Sequence, residues 1–367
     1  MHKPLPGGSS DPATMPVPAV PPVVVITGGS SGIGRCTARL FAQRGWRVGL
    51  IARGAAGLAD TAADIAALGG ISAGAIADVA DAAALERAAD SLVARLGGID
   101  VWINAAGNGV YGRLLDVPEA EFRRVTDVTY MGTVNGTRAA LARMLPRDCG
   151  SIVNVCSGVA FHGLPLMTSY VGAKAAVRGF SQSVRGELRM ARSAVHLCTV
   201  FPPAVNTPFF CHAPSHTGYA SRPVAPVYQP EIVARALYLA ATGRRREMVI
   251  SGIVLAFSLV SRVSPVLAAW LTEQLRFESM MSRDRGARGE PALFAPPARG
   301  PSARGPFGAR GWSAHVWLLG ALRAVLSASA ATPRKAPPCL PAPGHTAPDP
   351  RPADSSPPAG IVSSIGR

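Results

Sequence analysis

A short apolar strand that breaks into a glycine-rich turn constrains the fold of this chain more than any other stretch. Residues 23–26 read VVVI, a β-branched run too short for a membrane span, and this predicts a buried parallel strand. The sequence TGGSSGIG follows at 27–34, and the segment 35–44 has a helical composition. Backbone N–H groups at the start of such a helix, with the helix dipole behind them, suit a pyrophosphate. A plain structural turn is the alternative interpretation.

The alternation of strand and helix continues along the chain. Further apolar strands are predicted at 47–52, 72–77, 101–103, 151–155, 194–200 and 247–251. Helices are predicted between them at 57–68, 82–96, 119–145 and 231–242, with one more following residue 170. This order predicts an α/β fold with a doubly wound parallel sheet, covered by helices on both faces in three α/β/α layers.

Composition narrows the possible classes of function. The chain has 367 residues, 48% of them hydrophobic, and a formal net charge of +15. The segment from residue 284 onward contains ten Lys and Arg but four Asp and Glu, so part of the positive charge lies there. No run of five or six basic residues occurs in the sequence. We therefore expect no specific nucleic-acid partner. The six cysteines include no C-x-x-C pair and no signal peptide is visible, which together favour a reducing, cytoplasmic location.

The strongest chemical signal is a tyrosine and a lysine four residues apart. The strand at 151–155 leads to Ser157 at its carboxyl end, where open α/β sheets bind ligands, and Tyr170 and Lys174 follow on a predicted helix. Positions i and i+4 share one helix face, so the two side chains point the same way. A phenol has a pKa of about 10 and is a poor base at neutral pH, whereas a nearby ammonium favours phenolate. The three residues form a candidate acid–base site, with a surface tyrosine–lysine pair as the alternative.

Several motifs occur together in one order. The sequences TGGSSGIG at 27–34 and NAAG at 104–107, followed by Ser157 and Tyr170-x3-Lys174, resemble those of the short-chain dehydrogenase/reductase family over about residues 22–252. The resemblance implies a single Rossmann-type domain, commonly assembled as dimers or tetramers, that transfers a hydride reversibly between NADP(H) and a carbonyl or secondary alcohol. It also implies that Ser157 holds the substrate oxygen and Tyr170 exchanges a proton with it. Lys174 is expected to bind the nicotinamide ribose and to depress the pKa of the tyrosine.

The same resemblance implies a set of cofactor-binding residues. Ala52 stands where the family places an acid for the ribose hydroxyls of NAD, and Arg53 follows it, which favours the 2′-phosphate of NADP. A solvated loop arginine is the alternative for Arg53, and Asn104 is assigned either to the cofactor or to packing within the sheet. The complete expected set is Gly28, Ser30, Ser31, Gly32, Ile33, Gly34, Arg53, Asp78, Val79, Asn104, Ala105, Ala106, Gly107, Tyr170, Lys174, Pro202, Val205 and Thr207.

Two positions depart from the family pattern. Thr129 stands where the family often has an asparagine that binds water behind the catalytic lysine, and we count Thr129 among the candidate catalytic residues. Pro203 replaces a glycine in the loop that leads to Thr207, and a proline fixes φ and removes an N–H donor. These departures leave open an alternative function, a nucleotide-binding regulatory or scaffold protein with little turnover.

The expected substrate is an apolar carbonyl or alcohol compound. The residues expected to face it are mainly apolar: Val159, Phe161, Leu164, Leu166, Met167, Phe209 and Phe210. Cys211, His212 and His216 lie nearby, but no fourth ligand stands at a suitable spacing, so no metal site is predicted.

The chain is expected to divide into four parts. These are a disordered segment at 1–21, the catalytic domain at 22–252, an apolar helical extension at 253–283, and a disordered Pro-, Ala-, Gly- and Arg-rich tail at 284–367 with a short helix at 312–331. The run 252–271 contains Arg262 and Pro265, which disfavour a membrane span. We expect it to cover the substrate cleft, with a dimer surface or a peripheral membrane contact as alternatives.

Overall fold

A parallel sheet occupies the centre of the molecule. The computed structural model describes residues 20–274, 277–285, 291–297, 300, 302–311, 313–314 and 316–318. Its strands are β1 (Val23–Thr27), β2 (Arg47–Ala52), β3 (Ser72–Ile76), β4 (Val101–Asn104), β5 (Ser151–Val155), β6 (His196–Phe201), β7 (Tyr219–Ser221), β8 (Glu247–Val249) and β9 (Met281–Arg285). Seven of these described strands pair in parallel in the order β3-β2-β1-β4-β5-β6-β8. The other two, β7 and β9, form a small antiparallel pair.

Helices cover both faces of the sheet. They are α1 (Gly32–Gln43), α2 (Ala55–Ala67), α3 (Ala82–Leu96), α4 (Glu119–Thr126), α5 (Gly132–Met144), α6 (Thr168–Met190), α7 (Phe209–His212), α8 (Pro230–Ala241), α9 (Gly252–Val263), α10 (Pro265–Glu273) and α11 (Phe277–Met280). Alternate residues of β1 belong to two different cores. Val24 packs in the cluster that contains Phe41 of α1 and Leu237 of α8, whereas Val25 packs with Leu92 of α3. The predicted doubly wound sheet in three layers is confirmed.

The strand order reverses between β1 and β4. From β1 the chain moves outward through β2 to β3, and it then returns to β4 on the other side of β1. In open α/β sheets the crevice outside the carboxyl ends of the strands at this point is the usual ligand site. The fold therefore places residues 27–34 and 104–107 side by side.

The single helix predicted at 119–145 is interrupted. α4 ends at Thr126, a π-helical turn spans Asp127–Met131, and α5 begins at Gly132. The helix is tightly packed at this point, because a Cβ on Gly132 would lie 2.5 Å from a Val79 methyl group. A π turn inserts one extra residue into a helix, so it changes which side chains face a neighbouring loop.

Part of the segment whose composition predicts disorder packs against the domain. We call residues 291–297, 300 and 302–311 the C-terminal strap. The predicted segment at 1–21 and the predicted helix at 312–331 lie largely outside the described residues. Among the helices described, none has the length and apolar character that crossing a bilayer requires.

Candidate active site

A cleft of about 560 Å³ opens at the carboxyl ends of the central strands. Loops that follow β1, β2, β4, β5 and β6 all contribute to its walls. Every residue of the expected cofactor set lines this cleft except Asn104, and Ser157 lines it as well. Thr129 is not among the lining residues. The fold thus gathers residues from 28 to 207 into one place.

The glycine turn packs backbone against backbone. Gly28 has φ of +70°, and a Cβ there would lie 2.8 Å from the Cα of Ala106. A Cβ on Gly34 would lie 2.1 Å from the carbonyl oxygen of Gly28. Helix α1 begins at Gly32, three residues before the predicted start, so the turn itself forms the first turn of the helix. A helix N-terminus at the cleft wall, cleared of side chains, fits the pyrophosphate of a dinucleotide.

Arg53 lies at the end of β2 and lines the cleft. Its guanidinium donates hydrogen bonds of 2.7–3.1 Å to the carbonyl oxygens of strap residues 292–294. Burial, together with the nearby Arg124, lowers the pKa of Arg53. An arginine nevertheless stays charged in proteins, so this group offers a fixed positive charge. Arg124 also forms an ion pair with Asp78.

Asn104 lies behind the cleft, within the sheet. Its side chain is 2% exposed, and its oxygen accepts a hydrogen bond of 2.8 Å from the indole of Trp102. Its amide group donates to Asn154 at 2.9 Å and to Thr137 at 3.2 Å. These hydrogen bonds link β4, β5 and α5 and use both the oxygen and the amide group of the Asn104 side chain. They favour a role for Asn104 in packing the sheet over a role in binding the cofactor.

Ser157, Tyr170 and Lys174 converge on one part of the cleft. Ser157 follows β5, while Tyr170 and Lys174 lie on successive turns of α6. The Oγ atom of Ser157 accepts a hydrogen bond of 3.4 Å from the Val159 backbone N–H, and the three side chains line the same cleft. The Nζ atom of Lys174 lies 5.6 Å from the ring centroid of Tyr170 and donates a hydrogen bond of 2.7 Å to the carbonyl oxygen of Val155. This bond holds the ammonium at the end of β5.

Burial changes the acid–base properties of both groups. Lys174 is 4% exposed, and burial lowers the pKa of its ammonium to about 8. Burial also raises the pKa of the Tyr170 phenol, although the nearby Ser157 hydroxyl lowers it in part. This is opposite to the expected depression, because loss of solvation outweighs the effect of nearby polar groups. At neutral pH the phenol is therefore protonated and the lysine mostly charged.

Thr129 lies in the π-helical turn and is fully buried. Its Oγ1 accepts a hydrogen bond from the Asn108 backbone N–H at 3.3 Å and donates to the Asn108 carbonyl oxygen at 3.2 Å. A Cβ on Gly107 would lie 3.7 Å from this oxygen and 3.8 Å from Nζ of Lys174. Thr129 therefore fixes the loop 107–108 beside the lysine, from a position behind the cleft wall.

The remainder of the cleft is mainly apolar. Of the residues expected to face the substrate, five line it: Val159, Leu164, Met167, Phe209 and Phe210. Phe161 does not, because its ring packs on Phe201 with 4.6 Å between centroids. Leu166 does not either, because it packs in the cluster that contains Tyr111 and Met167.

Further lining residues come from the run 252–271, as expected, and from parts of the chain that the sequence did not indicate. Helices α9 and α10 contribute Ile253, Val254, Phe257, Leu271 and Thr272, so the run 252–271 lies over the substrate part of the cleft. Tyr111, Asn108 and the strap residues Ala292, Leu293, Pro296 and Pro297 also line it. The apolar character of 252–271 was a usable signal, whereas the strap has a composition typical of disorder.

The histidine and cysteine residues near α7 do not gather into a metal site. His216 Nε2 lies 2.7 Å from Oε2 of Glu121, which gives this histidine a hydrogen-bond partner. Within the part of the chain that the structure describes, no group of three His, Cys, Asp or Glu side chains is placed to hold a metal ion.

Solved structures share this fold. A short-chain dehydrogenase/reductase from Burkholderia phymatum in complex with NAD is 25% identical, with a TM-score of 0.62, and the match covers 68% of this chain and 95% of that one. An alcohol dehydrogenase from the archaeon Thermococcus sibiricus, complexed with 5-hydroxy-NADP, is 27% identical with a TM-score of 0.54 and coverages of 62% and 95%.

Sequence comparisons give the family. The profile of the family described as short chain dehydrogenase matches residues 22–217, more than half of the chain. An uncharacterised oxidoreductase of Bacillus subtilis (strain 168), YxnA, is 31% identical over 277 residues, which are 74% of this chain and 77% of that protein. The probable oxidoreductase EphD of Mycobacterium tuberculosis (strain ATCC 25618 / H37Rv) is 42% identical over 186 residues, 50% of this chain and 31% of that protein. The chain is thus an oxidoreductase that belongs to the short-chain dehydrogenase/reductase family.

Proposed function

We propose that this protein interconverts a carbonyl and a secondary alcohol on an apolar substrate, with NADP(H) as its cofactor. The proposal rests on one observation, the convergence of Ser157, Tyr170 and Lys174 in the cleft that also contains the glycine turn. The two solved structures carry NAD and 5-hydroxy-NADP, which supports a nicotinamide dinucleotide here.

Residues of the cleft floor would hold the cofactor. The N-terminus of α1 at Gly32 would face the pyrophosphate, and Lys174 would bind the ribose next to the nicotinamide. Arg53 would bind a 2′-phosphate, since a guanidinium binds phosphate oxygens in a bidentate manner. The floor has no acidic residue at position 52, where an acid would favour the hydroxyls of NAD. These points favour NADP(H).

Tyr170, Ser157 and Lys174 would each have a separate role in proton transfer. When bound, the cofactor supplies or accepts the hydride. In the reductive direction the Tyr170 hydroxyl gives its proton to the carbonyl oxygen, and in the oxidative direction the phenolate removes the alcohol proton. Ser157 donates a hydrogen bond that holds the substrate oxygen near the tyrosine. The ammonium of Lys174 stabilises the phenolate that forms.

The cleft walls favour an apolar substrate. Leu164, Met167, Phe209, Phe257 and Leu271 surround the space beyond the tyrosine, and burial of apolar substrate surface against them is favourable. Turnover confined to small charged compounds would contradict this part of the proposal.

Nucleotide titrations test the cofactor assignment. We expect wild-type protein to bind NADPH more tightly than NADH, and Arg53→Ala and Arg53→Asp to lose about ten- to hundredfold in NADPH affinity. Arg123→Ala is the matched control, because the Arg123 side chain is 72% exposed and, among the residues that the structure describes, forms its ion pair with Glu119 on its own helix. An unchanged ratio of NADPH to NADH affinity in Arg53→Ala would remove the basis for NADP(H).

A regulator with little turnover is the second candidate function. It is favoured by Thr129, whose hydroxyl binds the Asn108 backbone in place of the amide that the family often has there. This function predicts tight NADPH binding without turnover across a broad panel of carbonyl compounds.

Assembly and location are proposals of the same kind. We propose a cytoplasmic homo-oligomer that acts on a small molecule, to be tested by light scattering. Val263, Val266 and Trp270 are exposed on α9 and α10 at 86%, 81% and 53%, which favours a peripheral membrane contact as an alternative. Cell fractionation tests this contact.

A further inference from the structure

The C-terminal strap crosses the cleft and contacts the groups that would bind the cofactor phosphates. This inference rests on the proposed NADP(H) site. Arg53 donates three hydrogen bonds to the carbonyl oxygens of residues 292–294, at 2.7–3.1 Å. The Nε atom of Arg124 donates to the Leu293 carbonyl oxygen at 3.2 Å. Arg53 and Arg124 thus both donate hydrogen bonds to the strap backbone at residues 292–294.

The strap also contacts the glycine turn. The Gly32 N–H, at the N-terminus of α1, donates a hydrogen bond of 3.3 Å to the carbonyl oxygen of Ser302. An anionic phosphate and a carbonyl oxygen compete for the same N–H donor. The strap therefore places an acceptor at both expected phosphate positions, Arg53 and Gly32.

One side chain fixes the first part of the strap. Leu293 is 2% exposed and packs with Val110 and Val125, in a cluster that Tyr170 also contacts. The next residue, Phe294, has a side chain that is 59% exposed. Two neighbouring strap residues therefore differ sharply in how much of the side chain is buried.

Close packing fixes the last part. A Cβ on Gly305 would lie 2.7 Å from the carbonyl oxygen of Thr207, whereas a Cβ on Gly308 would meet nothing within 4 Å. Arg304 forms an ion pair of 2.7 Å with Glu231. The strap is therefore held near both of its own ends.

We propose that the strap is an autoinhibitory cover, which must leave Arg53 and Gly32 before NADP(H) binds. In the closed state the strap carbonyls occupy the donors that the phosphates require. Apparent cofactor affinity is then the affinity of the open state reduced by the fraction of molecules that are open. Changes that weaken the strap contacts without touching the glycine turn should raise that affinity.

Two matched pairs of variants test this cover in the full chain, with NADPH binding followed by fluorescence. Leu293→Ser removes a buried apolar side chain and Gly305→Val introduces a clash, so we expect each to lower the Kd for NADPH about tenfold. Phe294→Ser and Gly308→Val are the controls, because these positions are exposed or open, and we expect wild-type affinity for both. The Gly305 pair keeps the test valid if Leu293→Ser fails to fold.

Trypsin cleavage after Arg304 gives a second measurement that does not depend on turnover. NADPH should accelerate cleavage of the wild-type protein at this site, because the open state exposes the strap.

Two results would overturn the proposal. One is weaker NADPH binding in Leu293→Ser and Gly305→Val, and the other is protection of Arg304 by NADPH; either would make the strap part of the cofactor site. If wild type binds NADPH and the variants match it, the cover is wrong while the proposed function stands. If wild type and all four variants bind no nicotinamide dinucleotide, the proposed function fails and the cover fails with it.

Discussion

The floor and the cover of the cleft are built in different ways. The floor consists of the loops after β1, β2, β4 and β5 together with the start of α6, and it presents glycines, hydroxyls, the Arg53 guanidinium and one buried ammonium. The cover consists of α9, α10 and the C-terminal strap, and it presents apolar side chains and backbone carbonyl oxygens. In the floor, Tyr170 and Lys174 stand four residues apart on one helix, so local helical geometry brings their side chains together. The cover, by contrast, is joined to the floor by a hydrogen bond from Arg53 to the carbonyl oxygen of Ala292, which lies 239 residues further along the chain.

The two parts of the cleft therefore have different roles: the floor carries the reacting and phosphate-binding groups, and the cover encloses them. Residues of the floor are the ones that exchange protons and face the phosphates, so their loss should abolish turnover or binding. The cover contributes enclosure and competes for donors, so changes there should alter affinity and leave the chemical groups intact.

The largest effect is expected for Tyr170→Phe. Removing the hydroxyl removes the proton donor, so kcat should fall by about a thousandfold while the Kd for NADPH stays within a few-fold of wild type. Steady-state kinetics and nucleotide titration measure the two quantities.

Tyr111→Phe serves as the comparison. Tyr111 is also buried and lines the same cleft, but it has no lysine one helical turn away. We expect this variant to lose less than about tenfold in kcat. Equal losses of kcat in both variants would show that either phenol in the cleft supports turnover, and would contradict the assignment of Tyr170 as the proton donor.

A smaller effect is expected at the glycine turn. In Gly34→Ala the new Cβ would lie 2.1 Å from the Gly28 carbonyl oxygen, so the turn must shift and NADPH affinity should fall by about ten- to hundredfold. Gly172→Ala is the control, since a Cβ there meets nothing within 4 Å and alanine favours the helix. Unchanged NADPH affinity in Gly34→Ala would mean that the floor does not bind the pyrophosphate.

The smallest effect concerns pH and Lys174. Burial lowers the pKa of this ammonium from 10.5 to about 8, so below pH 8 the fold carries the full cost of a buried charge. Between pH 8 and 10.5 the unfolded chain binds more protons at this site than the folded one, so stability rises with pH. Relative to Lys174→Met, the free energy of unfolding of wild type should increase by up to about 1.4 kcal/mol per pH unit in this window.

Chemical denaturation at several pH values measures this difference. A flat difference between the two proteins from pH 8 to 10.5 would mean that Lys174 keeps an ordinary pKa and is better solvated than its burial indicates.

The sequence predicts the floor well for physical reasons. Strand–turn–helix alternation sets the sheet, and the glycines and the pair Tyr170–Lys174 are fixed by spacing along the chain. The acid–base state of Tyr170 was not predictable, because burial of its phenol depends on Phe209, Leu293 and other residues far away in sequence. Likewise Asn104 and Thr129 were known as motif positions, but only their hydrogen bonds place them behind the cleft wall.

The cover was predicted in part. The apolar run 252–271 was expected to cover the substrate cleft, and α9 and α10 line that cleft. The strap contacts use carbonyl oxygens and closely packed glycines, which any sequence can offer and no motif records. A segment rich in proline, glycine and arginine therefore predicts disorder even where backbone atoms find partners.

Deuterium transfer from labelled NADPH tests the central claim most directly. Wild-type protein is incubated with NADPH in which both hydrogens at C4 of the nicotinamide are replaced by deuterium and with a panel of apolar ketones, and the products are examined by mass spectrometry. We expect an alcohol with deuterium on the former carbonyl carbon from wild type, and none above background from Tyr170→Phe. Tight NADPH binding without deuterium in any product would contradict the proposed reaction and favour the regulatory function.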